Sequence, residues 1–370
     1  MSNTEWYTIR NVDTIDTPLL VLYPDRIREN IRTLIESIDH VERLRPHVKT
    51  HKSPEVTHML LEAGIRKFKC ATIAEAEMLA AAGAPDILLA YQPVGPKATR
   101  LATLARHFSD TRFSCLVDNT ETARFIGAAF AATGQTIQVY IDLNVGMNRT
   151  GIVPSEALVL YETCRNMKGL AIAGLHAYDG HLRDPDIAVR TQQCNEGFAP
   201  VLALQAEIKQ KHGQDLTIVA GGTPSYSIHS KRAIVECSPG TFIYWDKGYE
   251  QTLSEQHYLH AALVITRVVS KPTDNTICVD LGHKAIAAEN PLEKRVFFLN
   301  GADLQPISQS EEHLVLKTDS PDKYPVGHVL YGIPYHVCPT VALHNEPGIV
   351  NHQNLTHTWV TQARSRRITI

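Results

Sequence analysis

The segment "RLRPHVKTHKSPE", residues 43–55, gathers His47, Lys49, His51 and Lys52 within six residues. A primary amine adds to a carbonyl and forms a Schiff base when its surroundings favour the uncharged form. A solvated or salt-bridged basic turn has the same composition, so the residue types leave both readings open. Two later segments, "VAGGTPSYS" (219–227) and "SPGTFIYWD" (238–246), supply Gly221, Gly222, Thr223 and Ser225, then Gly240 and Thr241. Backbone N–H groups that glycine brings close, with hydroxyls beside them, suit a phosphate. In "IPYHVCPTVAL" (333–343), His336 and Cys338 stand at i and i+2, which on a strand puts both on one face. Imidazole and thiolate form a zinc-type ligand pair that leaves coordination positions for water or substrate. A buried cysteine beside an incidental histidine gives the same pattern. Finally, "GLHAYDGHLRD" (174–184) is rich in proton-transfer groups: His176, Tyr178, Asp179, His181 and Asp184.

These residues need a scaffold, and the chain's alternation describes one. From about residue 18 to 245, short β-branched runs alternate with segments of helical period. The runs are "PLLVLY" (18–23), "LRPHVK" (44–49), "FKCAT" (68–72), "DILLAY" (86–91), "RFSCLV" (112–117), "IQVYIDL" (137–143), "LAIAGLHAY" (170–178), "LTIVAGG" (216–222) and "VECSPGT" (235–241). Helix punctuation lies between them: Ser53 as cap, Pro54 in the first turn and Gly64 as stop, then Asn119 or Thr120 as cap and Gly134 as stop. Repeated βα units imply a parallel sheet, here a (β/α)8 TIM-type barrel. Nine runs exceed eight strands, so "PLLVLY" is assigned elsewhere. After about residue 250 the helical period gives way to an all-β pattern. The expected division is a barrel over 24–248 and a β domain made of 1–23 and 249–370. A barrel's site lies at the C-terminal strand ends, and its phosphate often sits on the loops after strands seven and eight. Lys49, Arg149, Tyr178 and the two glycine loops fall at such ends.

The composition narrows the function. Hydrophobic residues are 44%, charged residues 20% and the formal net charge is −3, a balance that calls for neither nucleic acid nor an anionic membrane. No apolar run approaches the ~20 residues of a membrane span, and "MSNTEWYTIR" lacks the apolar core of a signal peptide. Seven scattered cysteines without a C-x-x-C suit a reducing, cytoplasmic setting.

Taken together, "DTPLLVLYPDRIREN", "RPHVKTHKSPE", "DILLAY", "DLNVGMNRTGI", "GLHAYDG", "GGTPS", "SPGTFIYWD" and "IPYHVCPTVAL" resemble the fold-type III pyridoxal-phosphate enzymes of the D-threonine aldolase and D-serine dehydratase family. The motifs run in the family's order across nearly the whole chain. The resemblance implies an alanine-racemase-like barrel and a C-terminal β domain that takes in the first strand. It implies that Lys49 carries pyridoxal 5'-phosphate, with Lys52 in the following turn. It also implies that Arg149 and Tyr178 lie near the cofactor ring, and that Gly221, Gly222, Thr223, Gly240 and Thr241 hold its phosphate. His336 and Cys338 would bind a divalent metal, with the thiolate favouring zinc over manganese or magnesium. The implied substrate is a small D-3-hydroxy amino acid and the implied assembly a homodimer. Aldol cleavage of D-threonine to glycine and acetaldehyde is the favoured reaction. The alternative is zinc-dependent dehydration of D-serine or another D-3-hydroxy amino acid to a keto acid and ammonia. Racemisation would need a second base that cannot be identified. For the general base His181 is the choice, although the gapless match after Tyr178 puts Asp184 in that place.

Overall fold

The computed structural model describes residues 5–370; residues 1–4 of the expected β domain lie outside them. Strand β1 (Leu19–Leu22) is followed by helix α1 (Pro24–Glu36). Seven strands come next: β2 (Lys67–Cys70), β3 (Asp86–Leu89), β4 (Arg112–Val117), β5 (Ile137–Leu143), β6 (Leu170–Ala177), β7 (Thr217–Ala220) and β8 (Val235–Cys237). They form one parallel sheet in sequence order. The eighth stave is shorter than "LRPHVK" suggests. Leu44 bridges Cys237 and His47 bridges Lys69, both parallel, so residues 44–47 close the sheet between β8 and β2. Its backbone bonds are Arg45 N–H to Cys237 O at 2.8 Å, His47 N–H to Pro239 O at 2.9 Å and Lys69 N–H to Pro46 O at 2.9 Å. Pro46 has no N–H to extend the ladder, and the chain turns into a 3-10 helix, Val48–Thr50, directly after it. Lys49 therefore sits in a turn and not on a strand.

The helix punctuation has physical counterparts. Ser53 Oγ accepts from Val56 N–H at 3.4 Å with Pro54 opening the helix Pro54–Glu62. Asn119, not Thr120, caps the helix Thr120–Ala131 through Thr122 N–H at 2.8 Å. Inside the barrel, Arg45 is 1% exposed and lies between Glu236 at 2.8 Å and Asp86 at 2.5 Å. Side chains two residues apart share a strand face, so Lys69, Leu88 and Asp142 follow Lys67, Asp86 and Tyr140 toward the C-terminal strand ends.

The remaining strands are β9 (Ala262–Thr273), β10 (Thr276–Val279), β11 (Val296–Phe298), β12 (Gln305–Gln309), β13 (Leu314–Lys317), β14 (Val329–Pro334), β15 (Gly348–Asn351) and β16 (Asn354–Thr358). They form a second sheet with β1 inserted between β9 and β15, antiparallel to β9 (Leu19 opposite Ile265) and parallel to β15. The run "PLLVLY" thus joins the β domain, where Val21, Leu263 and Ile265 share its core. This region is not all-β, however. It contains helices Lys247–Thr252 and Val337–Leu343. The expected strand through "IPYHVCPTVAL" stops at Pro334.

The chain forms two compact units: the described residues up to Thr33 with Thr241–Thr361, and Leu34–Gly240 with Gln362–Ile370. This differs from the expected 24–248 and 249–370, most of all at the C-terminus. Thr369 N–H donates to Glu77 Oε1 at 2.9 Å and Arg100 Nε to Ile370 O at 3.0 Å, which ties the last residues to the barrel unit. Among the described residues no helix is long and apolar enough to cross a membrane.

Candidate active site

Three of the four basic side chains in "HVKTHK" have structural work. His47 is buried, and its Nδ1 accepts the Lys49 N–H at 3.2 Å, capping the turn. Burial first, then the amines of Lys49 and Lys69, hold its imidazole well below the usual range, so it is neutral and able to accept. His51 accepts from Ser53 N–H at 3.2 Å, and burial lowers it to about 3. Lys52 lies in the left-handed region at φ 52° and pairs with Glu75, whose side chain is 0% exposed. Glu75 Oε2 also accepts Ala71 N–H at 2.6 Å. Lys49 alone lacks such an engagement among the described residues, and its Nζ lies 5.9 Å from the centroid of the Tyr178 ring. The basic loop is therefore a frame built by three residues around one uncommitted amine.

The role of Lys52 yields a prediction. Lys52→Ala leaves the Glu75 carboxylate buried without its counter-ion, and breaking a buried pair on one side costs about 3–5 kcal/mol. Chemical denaturation should show a loss near the lower end, because the Lys52 side chain is 15% exposed. Unchanged stability would contradict this role.

Tyr178 follows β6 and is the hub of the mouth. Arg149 Cζ stands 5.1 Å and Lys69 Nζ 5.3 Å from its ring centroid. A Cβ built on Gly180 would lie 2.3 Å from Tyr178 Cζ, and one on Gly222 2.9 Å from Tyr178 Cε2, so these glycines are there to let the ring in. Beneath it, His176 Nδ1 meets Asp142 Oδ1 at 2.7 Å. Asp142 also accepts from Gln92 and Thr150, both at 2.8 Å, and overall sits below the usual carboxylate range although burial pushes it up. An ionised carboxylate only accepts, so the His176 proton is on Nδ1 and its Nε2 offers a lone pair.

The glycine loops divide the expected phosphate donors. Gly221 N–H bonds Ala177 O at 3.0 Å, which extends the β6–β7 pairing and removes that donor. Its contribution is conformational, at φ +73°. Gly222 N–H makes only a 3.4 Å contact to Ser225 Oγ, and Gly240 N–H reaches Thr223 Oγ1 at 3.2 Å. A Cβ on Gly240 would lie 2.9 Å from His47 O. Thr241 opens the β-rich unit, where its Oγ1 is 3.7 Å from Cys338 Sγ.

One network and one buried lysine here escape the sequence reading. Ser225 Oγ donates to Asp179 Oδ1 at 2.5 Å, and Asp179 Oδ2 meets His229 Nε2 at 2.8 Å. Arg232 Nη1 lies 2.6 Å from His229 Nδ1. Ser225 and His229, four apart on one helical face, are the signal that could have revealed it. Asp179, Cys194 and His229 offer ligand atoms within 4.8 Å of one another. The guanidinium of Arg232, however, donates to Nδ1, which places the His229 proton on Nε2 toward Asp179 and adds positive charge where a cation would sit. We read this cluster as the brace behind the glycine loop. The second omission is Lys69, which shares a strand face with Lys67 in "KFKC".

Of the two base candidates, His181 is exposed and packs on Gly146, where a Cβ would stand 2.8 Å from its Nε2. Asp184 Oδ1 accepts Asp186 N–H at 2.9 Å and serves the loop.

In the β-rich unit, His336 and Cys338 are not on a strand. His336 is the N-cap of the helix Val337–Leu343 and Cys338 lies in its first turn. β-branched Val337, Thr340 and Val341 mimic a strand, but Pro339 fits a first helical turn and Asp246 Oδ2 accepts Val337 N–H at 3.1 Å. The pair still meets. Against burial, Cys338 and then Glu289 push the His336 imidazole up to about 9. His336 Nδ1 bonds Glu289 directly.

The residues fit both groups that the family resemblance implies. For the cofactor, Lys69 Nζ, His176 Nε2 and Ser238 Oγ are buried without hydrogen-bond partners among the described residues, beside glycines that allow close approach. For a metal, His336 and Cys338 offer a nitrogen and a sulfur donor with the Glu289 carboxylate on His336 Nδ1, and His336 carries a proton that a divalent cation would displace.

The sequence profile of the alanine racemase N-terminal domain matches residues 23–247, and that of a putative serine dehydratase domain matches residues 261–350. A D-threonine aldolase of Arthrobacter sp is 31% identical over 95% of this chain and 93% of its own. A D-threo-3-hydroxyaspartate dehydratase of Delftia sp. (strain HT23) is 25% identical over 89% of this chain and 92% of its own. The crystal structure of a D-threonine aldolase from Filomicrobium marinum, 28% identical, superposes with a TM-score of 0.87 over 98% of this chain and 99% of that one.

Proposed function

Because the chain belongs to the family of the alanine racemase N-terminal domain and is a pyridoxal-phosphate-dependent lyase, we propose that it cleaves D-3-hydroxy amino acids between Cα and Cβ, converting D-threonine to glycine and acetaldehyde. The observation that carries this reading is the amine of Lys49, uncommitted among the described residues, in a turn whose other basic groups are engaged. When bound, pyridoxal phosphate draws electrons from Cα, and a divalent cation acts as a Lewis acid for the 3-hydroxyl oxygen.

The protein's own residues do the rest. Lys49 supplies the amine that attaches the cofactor. Gly222, Thr223, Gly240 and Thr241 hold its phosphate, with Gly221 shaping the loop. Tyr178 and Arg149 orient the ring. His336 and Cys338 hold the cation, with zinc preferred by the thiolate, and Glu289 orients the imidazole through Nδ1. His181 takes the proton from the 3-hydroxyl group, since Asp184 is engaged in its own loop. A homodimer belongs to the same reading.

Dehydration is the second reading, favoured by Cys338 and by the similarity to the Delftia enzyme. Incubation with D-threonine, L-threonine and D-serine tests the substrate class. Consumption of D-threonine with L-threonine untouched is expected. Rapid conversion of D-serine to pyruvate with D-threonine inert would favour dehydration. Interconversion of enantiomers without cleavage would overturn the lyase reading.

A further inference from the structure

Lys69 stands apart from the engaged polar groups of the barrel. It is 2% exposed, and its Nζ has no hydrogen-bond partner among the described residues. It shares the Tyr178 ring with Lys49, at 5.3 Å against 5.9 Å. An unpartnered buried amine costs stability, and branched apolar side chains are the usual barrel filler.

We propose that Lys69 is a positioning residue of the catalytic centre whose gain and loss of a proton sets the ionisation of the linkage between Lys49 and the cofactor. The inference rests on Lys49 being the cofactor-bearing lysine. The groups that face Lys69 are His47 at the end of the stave 44–47, Lys49 from the turn after it, Asp142 from β5, Arg149 from the loop after β5, and His176, Tyr178 and Asp179 from β6 and its end. Burial first, then Lys49, lower Lys69 to about 7 against the pull of Asp142 and Asp179. The two carboxylates stay below their usual range and the two histidines below theirs. Near neutrality these four hold their charge states while Lys69 changes its own. A protonated Lys69 repels a proton on the linkage, so while Lys69 is charged the linkage loses its proton more readily.

The test is an absorbance titration of the purified holoenzyme, with borohydride reduction and peptide mapping to locate the cofactor. The titration of the bound cofactor's spectrum in wild type should be displaced to lower pH from that of Lys69→Met, which has no amine beside the linkage. Lys69→Arg, charged throughout, should titrate about one pH unit below Lys69→Met. If the arginine variant does not fold, wild type against Lys69→Met still decides. A wild-type titration that coincides with that of Lys69→Met, with the cofactor mapped to Lys49, overturns this inference alone. Wild type that takes up no cofactor, or carries it elsewhere, overturns the assignment of Lys49 and this inference with it.

Discussion

Lys49→Ala should lower turnover of D-threonine by at least about 10³-fold and abolish the visible absorbance of protein-bound cofactor. The size follows from the role. A lysine that both attaches the cofactor and is regenerated in every cycle has no substitute that water or buffer supplies. Stability should barely change, because Lys49 makes no ion pair among the described residues and is only half-buried. Lys52→Ala is the natural contrast: it should lose stability yet keep the attachment at Lys49. Full absorbance in Lys49→Ala would show that the amine was misassigned.

Removal of the divalent cation should have the next largest effect. Dialysis against a chelator, or the variants His336→Ala and Cys338→Ala, should lower activity by about 10²- to 10³-fold, since a Lewis acid at a developing alkoxide contributes several kcal/mol. Zinc should restore the chelated wild type, and neither variant should recover at the same metal concentration. A Glu289→Gln variant should bind zinc about tenfold more weakly, because it keeps a hydrogen bond to His336 Nδ1 but loses the charge. These affinities can be read by calorimetry without any turnover. Activity that survives chelation in full would remove the metal role of the pair.

The elements that declare themselves through backbone chemistry were legible in the sequence. Ser53 with Pro54, Asn119 and the stops at Gly64 and Gly134 mark real helix ends because capping is a local interaction. The surplus ninth run, "PLLVLY", was assignable to the β domain because no helix preceded it. Where packing decides, the sequence misled. Pro46 cut the stave at residues 44–47 short, and Asp246, ninety-one residues from Val337, capped a helix that β-branched residues had disguised. Asp246 is held near 6 by burial, an interaction with no local signature. In the site, Lys49 stood out by motif and position, whereas Lys69 went unnoticed because a lysine on a short apolar run reads as an exposed edge residue. Only the closed barrel turns it inward. The divided donors of the glycine loops were equally hidden: composition identifies glycines but not which N–H already has a partner.

Cleavage of the Cα–Cβ bond is the reaction expected of a site organised by Lys49. The most direct test is product analysis after D-threonine is incubated with the zinc-loaded, cofactor-saturated enzyme. Glycine and acetaldehyde in equal amounts, without ammonia, are the predicted result. Release of ammonia with 2-oxobutyrate, and no glycine, would contradict it.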